Sequence, residues 1–269
     1  MESATMPHDV AIAFDHVAKR FSRTGGPAAI SDLDFRVRTG EHVCVVGRTG
    51  CGKSTSVNLI LGLTPASAGR VDVLGVDPYR DFKRLRGRIG CVFQSDRLLP
   101  WRTALDNVLM PLEVLHARNA RTESEAADLL AKVGLAGYEH AHPHELSGGM
   151  RQRVAIARAL ITRPDVLIAD EAFGHLDEVT AAALRADFQR IAKAQGQTVY
   201  QITHSLDEAL LLADRILVFD RPGRVAGEFA RAQWEAGGAR QPVRETLRSL
   251  IAGGEAPSLQ AVAGDRQVA

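Results

Sequence analysis

The sequence has few cysteines, almost no net charge and no long apolar run. Its three cysteines show no metal-ligand spacing, so we expect buried, reduced thiols in a cytosolic protein. The 33 lysines and arginines balance 32 acidic residues, which gives no electrostatic reason to expect nucleic acid as the main partner. No apolar run approaches the roughly 18 residues of a membrane-spanning helix, and the N-terminal MESATMPHDV lacks the apolar core of a secretory signal. We therefore expect a protein that does not span a membrane itself but is able to dock onto one that does.

The rest of the composition is that of an ordinary globular protein, with 45% apolar and 24% charged residues in 269. Short strand-like runs recur, and helical patterns at 53–61, 178–194 and 206–213 fall between them. The earliest two runs are typical of half-exposed antiparallel strands, whereas the later ones are uniformly apolar, as in a parallel sheet covered on both faces. The runs are VAIAFDHV from Val10, AISDLDFRV from Ala29, HVCVV from His42, RIGCVF from Arg88, VLIAD from Val166, TVYQIT from Thr198 and RILVF from Arg215. This order predicts an α/β fold with a mostly parallel sheet and an N-terminal antiparallel β subdomain.

The strand-like runs stop between about 95 and 163. Three helical patterns take their place, TALDNVLMPLEVLHA, ESEAADLLAKVG and MRQRVAIARALI. We interpret this segment as a helical subdomain inserted into the α/β core. From about residue 231 the chain is rich in Ala, Gly, Arg and Gln, with one weak helical pattern near 243–251. We predict a catalytic domain over 1–230 and a peripheral C-terminal tail over 231–269.

The segment GRTGCGKST matches the pattern G-x-x-x-x-G-K-[ST] and lies between the strand HVCVV and a helical pattern. Its glycines allow backbone N–H groups to converge on phosphate oxygens at the start of a helix, where the helix dipole favours negative charge. In this motif Lys53 reaches the β- and γ-phosphates of ATP and Ser54 ligates Mg²⁺. The alternative, a merely structural glycine-rich turn, does not explain the strand–loop–helix context. The predicted phosphate-binding residues of this P-loop NTPase core are Gly47, Arg48, Thr49, Gly50, Cys51, Gly52, Lys53, Ser54 and Thr55.

Four polar residues follow other apolar strands. Asp170 and Glu171 end the run VLIADE, where Asp170 is placed to hold the Mg²⁺ shell and Glu171 to polarise an attacking water. Gln94 follows RIGCVF and is a candidate contact to Mg²⁺ or that water, and His204 follows TVYQIT. Taken singly, a Gln or His after a strand is more often an ordinary loop residue. Their shared position at strand C-termini predicts that they meet the nucleotide at the same edge of the sheet.

A second glycine-rich helix start occurs in ELSGGMRQR. Its Ser147, Gly148 and Gly149, which we call the signature segment, precede a helix with one apolar face. An ordinary Ser-Gly-Gly helix cap is the alternative interpretation. If the signature segment also binds phosphate, its purpose needs an explanation, because the P-loop already provides one phosphate site in this chain.

The ordered set GRTGCGKST, Gln94, LSGGM, VLIADE, GHLD and His204 closely resembles the nucleotide-binding subunits of ABC transporters, over roughly residues 10–228. The resemblance implies that the signature segment binds the γ-phosphate of ATP held by the P-loop of a second subunit. It also implies that Phe21 stacks on adenine, that Asp177 lies in the loop crossing to the partner, and that His204 contacts the γ-phosphate. Two residues depart from the family pattern, because Ala172 stands where proline is usual and His175 where a small residue is usual. Neither change removes a charged catalytic group, so we expect ATPase activity at a full or a reduced rate.

The segment SDRLLPWRTALDNV resembles the branch that serves nitrate, sulfonate, taurine and related importers, and RPGRV at 221–225 resembles it more weakly. The apolar Leu98, Leu99 and Trp101 lie in a predicted loop, which suggests a docking surface for a membrane permease, although packing of the helical subdomain is the alternative. We expect ATP and Mg²⁺ as cofactors, a second ATPase subunit, permease subunits and, through them, a periplasmic solute-binding protein as partners, and a peripheral location on the cytoplasmic face of the inner membrane. Two alternatives stay open: a soluble ABC ATPase acting on nucleic acid or ribosomes, and a hydrolysis-poor regulatory subunit.

Overall fold

The computed structural model describes residues 9–22, 27–174, 178–236 and 238–253. In these ranges nine strands form one sheet in the order β4-β1-β2-β9-β8-β3-β7-β6-β5. The strands are β1 Val10–Lys19, β2 Ile30–Arg38, β3 His42–Gly47, β4 Ala68–Val73, β5 Ile89–Val92, β6 Val166–Asp170, β7 Thr198–Ile202, β8 Arg215–Asp220 and β9 Arg224–Ala230. Every strand-like run of the sequence is a strand in the structure.

The predicted division of the sheet is confirmed. Strands β1, β2 and β4 pair antiparallel, and the central strands β8-β3-β7-β6-β5 are all parallel. The sequence did not reveal β4 and β9. Strand β4 reads AGRVDV and leaves its first three residues exposed, and β9 contains a glycine and only one fully buried side chain, so neither has an apolar signal.

Eight α-helices lie within the described residues. They are α1 Lys53–Ile60, α2 Ala104–Val114, α3 Ala120–Lys132, α4 Gly148–Leu160, α5 Glu178–Ala194, α6 Leu206–Leu212, α7 Ala232–Glu235 and α8 Arg240–Ile251. Helices α2, α3 and α4 occupy the segment predicted to be an inserted helical subdomain and share one buried apolar cluster that includes Val108, Leu130 and Val154. Side chains cap the start of each, with Thr103, Asn119 and Ser147 accepting a backbone N–H. No helix in the described ranges is long and apolar enough to cross a bilayer.

Leu98 corrects the predicted docking loop. Its side chain is 9% exposed and belongs to the cluster of the helical subdomain, whereas Trp101 is 72% exposed. Asn107 explains this burial. Its amide oxygen accepts a hydrogen bond from the N–H of Leu99, and its amide nitrogen donates to the carbonyl of Leu99, so that the loop is held against α2. Burial of Leu98 is therefore subdomain packing.

The prediction of a peripheral tail after residue 230 is wrong for the part that the structure describes. Trp234, Val243 and Leu247 are buried against Val46 and Val218 of the central strands. The indole N–H of Trp234 donates to the carbonyl of Leu210 at 3.1 Å. The helical pattern of the tail is weak in the sequence because α8 is short and mostly polar, and its apolar residues are confined to one face.

The three cysteines are free, as expected. Cys44 and Cys51 are buried and Cys91 is partly buried. Burial raises the pKa of the Cys91 thiol to about 12 and raises the pKa of the other two thiols as well. The cysteines are therefore protonated, unreactive packing residues at neutral pH.

Candidate active site

The parallel strands place the predicted site residues at one edge of the sheet. Strands β3, β7, β6 and β5 are neighbours and run in the same direction, so their carboxyl ends lie side by side. The segment from Gly47 follows β3, Gln94 follows β5, Glu171 follows β6 and His204 follows β7. One loop and three single residues from distant parts of the chain thus lie at the same edge of the sheet, as the rule for ligand sites in parallel sheets predicts.

The segment from Gly47 to Thr55 forms a loop that leads from β3 into α1. Gly52 is the N-cap of α1 with φ 98°, and a Cβ on it would lie 2.9 Å from the carbonyl oxygen of Ala29, so only glycine fits there. No side chain caps this helix, which leaves its first N–H groups free to bind an anion. A cavity of ≈ 260 Å³ opens at this point. Its lining is Ala29, Thr49, Gly50, Gly52, Lys53, Ser54, Thr55 and Glu171.

Lys53 is buried inside the loop, with 8% of its surface exposed. Its ammonium donates to the carbonyl oxygens of Gly47 at 2.6 Å and Arg48 at 3.1 Å. These bonds hold a full positive charge beside the free N–H groups of α1. The cavity is therefore electropositive at its base, as a phosphate-binding cavity must be.

Asp170 and Glu171 stand at the end of β6. Burial is the main reason that the pKa of Asp170 is raised, and the adjacent charge of Glu171 adds to the effect, while Arg97 and Lys53 oppose it. A divalent cation bound to Asp170 would stabilise the charged carboxylate and so offset the free-energy cost of its burial. The oxygens of Asp170, the exposed Ser54 and the exposed Gln94 are the hard donors that Mg²⁺ prefers. Within the described residues no three His, Cys, Asp or Glu side chains form a metal cluster, so a cation here would take its remaining ligands from phosphate and water.

The Glu171 carboxylate brings three of the predicted residues together. Its Oε2 accepts a hydrogen bond from Nε2 of Gln94 at 3.1 Å and lies 3.7 Å from Nδ1 of His204. The same residue lines the cavity of Lys53 and a second cavity of ≈ 380 Å³ that contains His204. The side chain is 25% exposed, so it is accessible to a water molecule above the loop. A carboxylate in this position can accept a proton from a water molecule bound beside the loop.

The signature segment lies elsewhere. Ser147 is the N-cap of α4, where its hydroxyl accepts the N–H of Met150 at 3.2 Å, and it is exposed. Neither Ser147 nor its two glycines line the cavity that contains Lys53, among the residues that the structure describes. The chain therefore presents two separate glycine-rich helix starts, and the one at Ser147 is exposed to solvent.

Phe21 lies just beyond β1 and is 67% exposed, and its ring is 5.0 Å from the ammonium of Lys19. The carbonyl of Lys19 accepts the N–H of Ala29, which lines the cavity of Lys53, so the end of β1 borders this cavity. Asp177 and His175 lie outside the described residues. Ala172 is buried, and its carbonyl accepts a hydrogen bond from Gln152 at 2.7 Å.

Arg221 is a site residue that sequence reasoning missed. Its guanidinium donates to the carbonyl of Thr49 and lies 3.0 Å from where a Cβ on Gly50 would stand. It therefore braces the tip of the phosphate loop from the turn between β8 and β9. The RPGR sequence was the only available signal, and it does not identify a contact between residues 172 positions apart.

Arg221→Ala is expected to raise the KM for ATP by about 3- to 10-fold, the loss of one charge-assisted hydrogen bond, with kcat nearly unchanged. Arg224→Ala is the matched control, because Arg224 begins β9 directly after this turn but pairs with Asp220 at 3.4 Å. Steady-state ATPase rates over a range of ATP concentrations measure both constants. An equal effect of the two substitutions would show that Arg221 has no specific role at the loop.

Comparison with known proteins agrees with this geometry. The sequence profile described as ABC transporter matches residues 30–174. The chain is 39% identical over 247 residues to the taurine import ATP-binding protein TauB of Rhizobium johnstonii, covering 87% of this chain and 92% of that protein. It is 40% identical over 239 residues to the nitrate import ATP-binding protein NrtD of Synechococcus elongatus, covering 87% and 86%. Among solved structures, the dimeric post-hydrolysis state of the ATP-binding cassette MJ0796 bound to ADP and Pi aligns with a TM-score of 0.74 and 30% identity, covering 82% of this chain and 98% of that one.

Proposed function

This chain belongs to the ABC transporter family, and we propose that it is the ATP-hydrolysing subunit of an importer for a small solute such as nitrate, a sulfonate or taurine. The observation that carries the proposal is the Glu171 carboxylate, which meets Gln94 and His204 at the mouth of the cavity that contains Lys53. The names of the two import relatives support the direction of transport. Because these two relatives import different solutes, they do not identify the molecule imported here. The permease and the solute-binding protein would select it.

Nucleotide binding uses the loop from Gly47 to Thr55. The free N–H groups at the start of α1 and the ammonium of Lys53 bind the phosphates, and the exposed ring of Phe21 stacks on adenine. Ser54, Gln94 and Asp170 would hold Mg²⁺, which when bound neutralises charge on the phosphate oxygens. Binding of the phosphates requires Lys53 to exchange the carbonyls of Gly47 and Arg48 for phosphate oxygens.

Hydrolysis uses the group around Glu171. Its carboxylate orients a water in line with the γ-phosphate and accepts the proton of that water. The amide of Gln94 holds the carboxylate from one side, and the imidazole of His204 approaches from the other. His204 is 64% exposed, so it can turn to the γ-phosphate when nucleotide enters.

A second copy of the chain completes each site. The signature segment is exposed at the start of α4 and away from the cavity of Lys53, so it is available to bind ATP held by a partner. Ser147, Gly148 and Gly149 would contact the γ-phosphate across the interface. The MJ0796 cassette is a dimer bound to ADP and Pi, which supports the proposal of a second copy.

The permease is proposed to dock in a cavity of ≈ 530 Å³ between the helical subdomain and the core. Its wall includes Phe82, Phe93, Met110, Val114, Leu115 and Arg97. Val114 and Phe82 are 65% and 48% exposed, so the cavity is an apolar recess open to solvent. A short amphipathic helix of a permease fits such a recess, which would hold the chain at the cytoplasmic face of the inner membrane. A periplasmic solute-binding protein would act through that permease, and no nucleic acid is involved.

Val114→Glu is expected to lower recovery of the protein with permease-containing membranes by about 10-fold or more, because a charge replaces an apolar contact. Leu63→Glu is the matched control, since Leu63 is also 65% exposed but does not line this cavity. Co-sedimentation with membranes measures the effect, and basal ATPase activity confirms that both variants fold. Equal membrane recovery of the two variants would place the docking surface elsewhere.

Reconstitution into proteoliposomes with the permease and solute-binding protein encoded beside this chain tests the function as a whole. ATP-dependent uptake of labelled nitrate, sulfonate or taurine is the expected result. Stimulation of ATP hydrolysis by RNA or ribosomes, with none by the permease, would instead favour a soluble ATPase. Transport without measurable phosphate release from this chain would favour a regulatory subunit.

A further inference from the structure

We infer that Gln152 is a positioning residue for hydrolysis, which keeps Glu171 aligned with Gln94 and ties both to the helix of the signature segment. The inference rests on the proposed role of Glu171 as the base. Gln152 lies in the first half of α4 and is 5% exposed. A buried amide side chain must find hydrogen-bond partners, and the partners of this one lie in two catalytic loops.

The contacts of Gln152 are specific. Its Nε2 donates to the carbonyl oxygen of Ala172 at 2.7 Å and to the carbonyl oxygen of Phe93 at 3.3 Å. Both partners are acceptors, so the nitrogen and not the oxygen of the amide must face them. One NH₂ group therefore uses both of its hydrogens to bridge two chain segments.

The two bridged carbonyls adjoin the two side chains that meet at the site. Phe93 immediately precedes Gln94, and Ala172 immediately follows Glu171. The side chains of Gln94 and Glu171 join at 3.1 Å, and Gln152 joins the backbones that carry them. Two contacts thus fix the distance between the two catalytic loops. One is the hydrogen bond between the side chains of Gln94 and Glu171, and the other is the bridge made by the buried amide of Gln152.

Glu171 needs such support because of its backbone. Its φ is 49°, in the left-handed region that a glutamate rarely adopts and that persists only where neighbouring contacts enforce it. On the side of the sheet, the N–H of Glu171 donates to the carbonyl of Ile202 at 3.0 Å. The next residue on the other side is Ala172. A proline ring would fix φ at this position, but alanine has no such restriction. The bond from Gln152 to the Ala172 carbonyl restrains this side of the loop.

The position of Gln152 also connects the loops to the signature segment. It lies on the same helix as Ser147, the N-cap of α4. Two further residues of α4 attach the loop after Gln94: Arg151 pairs with Asp96 at 2.9 Å, and Arg158 donates to the carbonyls of Asp96 and Arg97. A shift of α4 would therefore carry the loop of Gln94 with it, and Gln152 would transmit that shift to Glu171.

The test compares three single variants, one double variant and Glu171→Gln alone by their steady-state and single-turnover ATPase rates. Gln152→Met keeps the length of the side chain and removes the donor. Gln152→Glu keeps its shape, but the ionised carboxylate can only accept hydrogen bonds. Each is expected to lower kcat by about 10- to 100-fold with little change in ATP affinity, the usual effect of displacing a catalytic group. Gln197→Met is the control, because Gln197 is an equally buried glutamine (5% exposed) that bonds to Gln195 outside the site.

The fourth variant distinguishes positioning from general stability. Combined with Glu171→Gln, the change Gln152→Met is expected to cause no further loss of single-turnover rate, because it acts only through Glu171. Fully additive losses, or a wild-type kcat in Gln152→Met, would overturn the inference. Wild-type turnover in Glu171→Gln alone would instead overturn the proposed role of Glu171 itself.

Discussion

Replacing Glu171 with glutamine is expected to lower ATP hydrolysis by about 10²–10⁴-fold, the range that general base catalysis contributes. The substitution keeps the shape of the side chain, so Gln94 and His204 retain a neighbour of the same size at the cavity mouth. The loss falls on the chemical step because an amide cannot accept the proton of the attacking water. ATP should still bind, since the loop around Lys53 is unchanged, and a stable ATP-bound dimer should accumulate.

Phosphate release and size-exclusion chromatography with ATP measure the two outcomes of this substitution. Asp165→Asn is a matched control, because Asp165 lies at the opposite end of β6 and pairs with Arg88 at 2.8 Å. It loses the same charge far from the nucleotide and should hydrolyse ATP at the wild-type rate. Near-wild-type turnover in Glu171→Gln would remove Glu171 from the mechanism.

Ser147→Arg is expected to abolish turnover while leaving ATP affinity unchanged. The cavity that binds the phosphates has no lining residue from the signature segment, so nucleotide binding to a single copy does not depend on Ser147. The bulky arginine would instead block the contact that we propose between the exposed Ser147 and ATP on a partner. Nucleotide titration and phosphate release separate the two effects.

Asn119→Arg is the control for Ser147→Arg. Asn119 is also an exposed helix N-cap in the helical subdomain, so its replacement costs a similar ~1 kcal/mol of stability and adds the same charge. Only the change at Ser147 should stop turnover, and only that change should prevent the ATP-dependent dimer when combined with Glu171→Gln. Loss of ATP affinity in Ser147→Arg would show that the signature segment acts within its own chain.

Much of the candidate active site could be predicted because each part of it has a recognisable local sequence pattern. The P-loop pattern lies between a strand and a helix, and Asp170, Gln94 and His204 each follow an apolar run. Parallel pairing of β3, β7, β6 and β5 then brings these strand ends together without any further information. The contact between Gln94 and Glu171 could be expected in outline, but the left-handed backbone of Glu171 could not, because nothing in its own sequence requires it.

The errors of the sequence analysis came from residues whose environment is set by distant parts of the chain. Leu98 looked like an exposed docking residue until the fold placed it against the helical subdomain. The tail looked peripheral because only one face of α8 is apolar, and that face meets strands that lie far away in the sequence. Strand β9 lacked a signal because its pairing with β8, rather than its own composition, stabilises it.

The sequence by itself indicated the family and determined the P-loop pattern, the acidic pair after β6 and a second glycine-rich helix start at Ser147. These features depend on short-range patterns, in which neighbouring residues specify a strand end, a turn or a helix start. Only the tertiary structure decided that Gln152 bridges Phe93 and Ala172 and that Arg221 braces the phosphate loop. Those bonds join residues 59, 20 and 172 positions apart, and a polar side chain does not reveal its partner until the chain is folded around it.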